Sequence, residues 1–146
     1  PQYLLAFRKP GASAVPIPHP DGLEYFSGEN EPTSGVLAHE RWRRYASPVW
    51  MDISPRTLNV SGARDDDDDR HLCPMALDII ERALQLWSAP GEIVVDPFAG
   101  VGSTGVEAVR LGRQFVGVEL KASYFRTAVK NLSAVKSARG QQGMMF

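Results

Sequence analysis

Residues 92–119 read EIVVDPFAGVGSTGVEAVRLGRQFVGVE and carry the clearest structural signals in the chain. Glu92 to Asp96 is a short apolar run with β-branched residues, which reads as a strand. Pro97 to Gly105 is a glycine-rich turn, Val106 to Leu111 a short helix closed by Gly112, and Gln114 to Glu119 a second strand. Ahead of this stretch, Met75 to Trp87 has a helical period. Ala76, Ile80, Ala83 or Leu84, and Trp87 share one stripe, Pro74 lies near the first turn, and Ser88 to Gly91 stops the helix. Ala122 to about Val135 repeats that period, with Phe125, Ala128, Leu132 and Val135 facing inward. Strand, turn, helix, strand, helix predicts a right-handed βαβ unit with parallel strands, so the fold class is α/β.

The turn carries Gly100-x-Gly102-x-x-Gly105, and Glu119 follows Gly100 by 19 residues. Glycines let the backbone turn sharply and approach a ligand, the helix N-terminus offers unpaired N–H groups, and a carboxylate at the second strand end can accept hydrogen bonds from ribose hydroxyls. The pattern points to a nucleoside cofactor. A phosphate-binding loop of the P-loop type is excluded, because Val106 and Glu107 stand where Lys and Ser or Thr would be needed. Asp96 would repel a pyrophosphate but suits a ligand with an ammonium group and a sulfonium, which favours S-adenosylmethionine. Plainer readings stay open: a packing turn without a ligand, and Asp96 as a turn cap. A nicotinamide oxidoreductase would share the glycines and Glu119 but gives no reason for Asp96.

The 146 residues, 43% hydrophobic and 23% charged, fit one globular domain with a core. The formal charge of -1 hides a basic body: five acids form one run, Asp65 to Asp69, and without it 16 basic residues face 12 acidic ones. That run reads as a solvated linker, not a metal loop, since it lacks the alternating ligands and turn glycine such a loop needs. The single cysteine, Cys73, excludes an internal disulfide and fits a reducing compartment. No apolar run approaches the roughly 18 residues of a membrane span, so the expectation is a cytoplasmic protein with no membrane partner. Residues 10 to 35 hold five of the 11 prolines and four of the 13 glycines and read as irregular. Beyond them Arg41, Trp42, Arg43, Arg44 and Tyr45 interleave cations with rings, suited either to nucleic acid or to a short amphipathic helix. A non-catalytic DNA-binding module would rest on these residues alone. Trp50 and Ile53 read as core anchors of a short strand. Tyr3 to Phe7 is a lone apolar strand pattern in a chain without an initial Met, so the chain reads as a piece of something longer.

Asp96 to Thr104, DPFAGVGST, resembles the D-P-F-x-G-x-G-[ST] cofactor motif of DNA methyltransferases that modify exocyclic amino groups, adenine-N6 or cytosine-N4. His71 to Arg82, HLCPMALDIIER, is similar to that family's H-P-x-Q-x-P-x-x-L-x-E-R helix, departing at Leu72, Pro74 and Ala76, and Val116 to Leu120 resembles its ribose-binding strand. The resemblance implies a partial Rossmann-like methyltransferase sheet with an irregular recognition region ahead of it. It also implies S-adenosylmethionine as cofactor, held by Asp96, Pro97, Phe98, Ala99, Gly100, Gly102, Ser103, Glu119 and Leu120, with His71 and Cys73 near its methionine end or at the helix start. In the permuted motif order, residues 1–9 are a late strand of the catalytic half, 10–64 the target-recognition region, 65–70 the acidic linker and 71–146 the cofactor half. Arg41, Trp42, Arg43 and Arg44 then become DNA contacts. The family's D/N/S-P-P-Y/F/W motif, which holds the flipped base, is absent from this sequence. No catalytic residue is therefore expected here, and the partners are double-stranded DNA with one flipped base and a missing N-terminal catalytic half.

Overall fold

A computed structural model describes residues 3–7, 9–11, 43–58 and 75–142. Its regular elements run α1 (Leu77–Trp87), β1 (Ile93–Asp96), α2 (Ser103–Arg110), β2 (Gln114–Gly117) and α3 (Ala122–Gln142). The two strands are parallel neighbours in the register Ile93 to Gln114, Val94 to Phe115, Val95 to Val116 and Asp96 to Gly117. The strand–helix–strand reading is therefore realised as a parallel pair with α2 as its crossover.

The boundaries move for local reasons. Gly102 takes φ +86, a left-handed conformation open to glycine, and α2 starts at once at Ser103, not at Val106. β2 stops at Gly117 because β1 ends opposite it, at Asp96. Beyond the ladder Val118 N–H still donates to the Asp96 carbonyl and Ala99 N–H to the Val118 carbonyl, both at 2.9 Å. α3 continues past Val135 to Gln142. The apolar period ends there, but Lys136 and Ala138 favour helix on their own.

The core lies on one side of the strands. Leu77, Ile80 and Leu84 of α1 and Ala108 of α2 are buried together, with Leu58, Val94, Leu111 and Phe115 packed against them. The inward stripe of α1 thus runs through Leu77, and Trp87, expected on it, is 48% exposed. Phe125, expected to face inward, is 53% exposed, whereas Ala128 is buried. A methyl built on Gly102 would sit 3.1 Å from Ala128 Cβ, so α3 crosses the turn through a small residue where a ring has no room. The opposite sheet face, made by Ile93, Val95, Val116 and Val118, is 51 to 64% exposed. Parallel sheets are ordinarily covered on both faces, and among the described residues this one is covered on one.

Residues 43–58 lie against α1. Leu77 N–H donates to the Arg56 carbonyl at 2.9 Å, Ser54 N–H to Asp78 Oδ2 at 3.0 Å, and Arg56 pairs with Asp78 at 3.5 Å. The strand expected around Trp50 and Ile53 does not form: residues 43–45 are helical, with Arg43 and Arg44 exposed and Tyr45 half-buried, residues 46–58 are irregular, and the Trp50 indole N–H donates to the Tyr45 carbonyl at 3.0 Å. Residues 3–7 join neither strand, and Tyr3, Leu5 and Phe7 are exposed. Among the described residues no helix is long and apolar enough to cross a membrane.

Candidate functional site

The carboxyl ends of β1 and β2 lie side by side, the position at which open α/β sheets receive ligands. β1 delivers Asp96 and β2 leads into Glu119, with the glycine turn between them. Asp96 Oδ1 accepts the Phe98 N–H at 2.9 Å, which shapes the entry to the turn. Glu119 Oε2 accepts the Gly100 N–H and Oε1 the Lys121 N–H, both at 2.8 Å. Each carboxylate therefore organises backbone. Capping and ligand binding are compatible, because a carboxylate oxygen has more than one acceptor site.

The three motif glycines do different work. At Gly100, φ is +55 and a built Cβ would meet nothing within 4 Å. At Gly105 a Cβ would lie 2.5 Å from the Phe115 ring and 3.0 Å from Leu132, and at Gly102 it would press on Ala128. Gly100 alone leaves space beside the backbone, while Gly102 and Gly105 let α3 and β2 close on the turn. Gly117, outside the motif, is also a packing glycine: its Cβ would fall 2.7 Å from Phe115.

Phe98 and Leu120, following the two strands, are 88% and 96% exposed and present apolar surface at the mouth of the turn. Pro97 is exposed too, whereas Ala99 and Ser103 are buried and contribute to the shape of the turn. Asp96, Pro97, Phe98, Ala99, Gly100, Gly102, Ser103, Glu119 and Leu120 are thus gathered at one end of the sheet. His71 and Cys73 lie outside the described residues. A residue that sequence reasoning missed is Asn131, whose Nδ2 donates to the Val101 carbonyl at 2.9 Å. The signal was its place between Ala128 and Leu132 on the inward stripe of α3, where an amide needs a partner.

The arginines expected to meet DNA are placed differently from one another. Arg43 is exposed. Arg44 Nε lies 3.2 Å from Asp52 Oδ2, with the Arg44 side chain 66% exposed. Asp52 is chiefly engaged by Arg82, which forks onto both of its oxygens at 2.9 Å. The Arg82 guanidinium also covers the rings of Tyr45 and Trp50, 5.0 and 5.4 Å from their centroids. The hydrogen bonding between them holds the Asp52 carboxyl below its ordinary range and raises Arg82 above its own. Arg41, Trp42 and the acidic run lie outside the described residues.

A family model described as DNA methylase matches residues 2–130. The type II methyltransferase M1.MboII of Moraxella bovis is 40% identical over 108 residues, 74% of this chain and 36% of that protein. A protein of Escherichia coli named as a methylase, YubD, is 42% identical over 64 residues, 44% of this chain and 28% of that protein. Among solved structures, a Thermus thermophilus protein assigned as a DNA modification methylase and complexed with S-adenosyl-L-methionine aligns with a TM-score of 0.56 at 28% identity, covering 88% of this chain and 41% of that one. The chain spans about a third of the length of the curated relatives it matches.

Proposed function

The chain belongs to the DNA methylase family, and from that premise we propose that it is the cofactor-binding part of an S-adenosylmethionine-dependent DNA amino-methyltransferase. The observation that carries this reading is the pair of carboxylates, Asp96 and Glu119, at the adjacent ends of two parallel strands, bracketing a turn that is open at Gly100. Asp96 meets the ammonium group of the cofactor, Glu119 the ribose hydroxyls, and the exposed Phe98 and Leu120 the apolar parts of the nucleoside. When bound, S-adenosylmethionine supplies an electrophilic methyl carbon, which the exocyclic amino nitrogen of a flipped DNA base takes from sulfur, leaving S-adenosylhomocysteine and a proton. This chain's residues bind and orient the donor. The base-holding D-P-P-Y motif is not in the sequence and belongs to an N-terminal catalytic half of the same protein. That half also supplies the layer over Ile93, Val95, Val116 and Val118. Arg43 and Arg44, with Arg41 and Trp42, contact the DNA, and the protein acts in the cytoplasm.

Titration calorimetry with S-adenosylhomocysteine against NAD tests the cofactor assignment. Binding of the first and not the second is expected, and NAD binding alone would sink it. No observation favours the nicotinamide reading.

A further inference from the structure

The glycine turn is gripped from two directions. From the end of β2, Glu119 holds the N–H of Gly100, and from α3, Asn131 holds the carbonyl of Val101. The peptide planes on either side of the Gly100–Val101 bond are thereby pinned, while the plane between them lies beside the open flank of Gly100. The same face of α3 meets the turn at two points, Ala128 at Gly102 and Asn131 at Val101, and the first turn of α2 at a third, Leu132 at Gly105. Two of these are apolar packing, which fixes distance. Asn131 adds a directional bond, and it goes to a residue that is 4% exposed, whose carbonyl has little access to water.

We propose that Asn131 is a positioning residue of the cofactor site: acting through the Val101 carbonyl, and together with Glu119 on Gly100, it holds the glycine turn in its binding shape before the ligand arrives. The proposal rests on the cofactor reading above. A glycine turn has more conformational freedom to lose than any other, so a ligand that had to order it would bind more weakly.

The test uses the 146-residue chain with Asn131→Leu, which keeps a similar branched shape and removes the donor, and Asn131→Asp, which keeps the shape and turns a donor into an acceptor. Both variants should weaken S-adenosylhomocysteine binding about tenfold. In the ligand-free chain both should speed amide hydrogen exchange at Gly100 and Gly102. The two variants guard against a folding failure in either one. Affinity within twofold of wild type overturns the proposal, even if the melting temperature falls, because that combination marks a purely structural bond. Absence of S-adenosylhomocysteine binding by the wild-type chain would instead refute the cofactor reading, and with it the positioning role.

Discussion

The glycine turn and the segment 43–58 use the same residue types in opposite ways. In the turn, carboxylates accept backbone N–H groups: Asp96 from Phe98, and Glu119 from Gly100 and Lys121. In the segment, carboxylates are taken by guanidinium groups: Asp52 by Arg82 and Arg44, Asp78 by Arg56. The first arrangement shapes a concave strand end and leaves lone pairs available. The second is a strap that fastens residues 43–58 to α1 through Arg82 and Arg56, and it leaves the Arg44 side chain 66% exposed. A residue's chemistry is therefore a menu, and its neighbours select from it.

The strap is where this contrast is easiest to break. Asp52→Ala leaves the Arg82 guanidinium, which is 4% exposed, without its partner. Asp52 is itself 43% exposed, which softens the effect, and the expected loss is about 2 kcal/mol, read by urea denaturation. The same pair predicts a pH dependence. The folded Asp52 carboxyl is held low, so its stabilisation is complete above the ordinary carboxylate range and is lost as pH falls through the folded value. Denaturation midpoints of wild type should therefore drop more steeply below about pH 4 than those of Asp52→Asn.

Gly105, in the first turn of α2, packs against β2. Gly105→Ala gains about 1 kcal/mol of helix propensity but forces the Phe115 ring aside, for an expected net loss of about 1–2 kcal/mol. A stabilised variant in the same denaturation assay would show that the ring yields freely. Glu119→Ala should weaken S-adenosylhomocysteine binding about tenfold, about 1.4 kcal/mol, while DNA affinity stays nearly constant. Equal loss of both would mark a folding defect. Arg44→Ala has the smallest effect. With its side chain 66% exposed, its ion pair should contribute less than about 0.5 kcal/mol to stability. Its loss should nonetheless lower the salt slope of DNA binding by about 1, and an unchanged slope would remove Arg44 from the DNA contacts.

The two regions also differ in how far their residues announce themselves in the sequence. The glycine turn, the two strands and the carboxylates at their ends could be read because their signals are local: a β-branched run, glycines at fixed spacing, an acid at the next strand end. The Arg82–Asp52 pair spans 30 residues of sequence, and nothing near either partner announces the other. Trp87 and Phe125 fell on apolar stripes by period alone. Which flank of a helix is covered depends on where Leu58, Gly102 and Gly105 bring neighbouring elements, and there Trp87 and Phe125 are left exposed.

The α/β class, the order of the elements and the gathering of Asp96, the glycines and Glu119 at one end of the sheet are written in the sequence, because strand and helix periods and turn chemistry are each set within a few residues and a strand–helix–strand order has one common parallel solution. Only the tertiary structure decided that Gly100 is the open glycine, that Asn131 reaches the turn, and that Asp52 and Arg82 join residues 43–58 to α1. Those outcomes depend on how closely helices approach the sheet and on which charges burial forces together, and neither is encoded within any single segment of the chain.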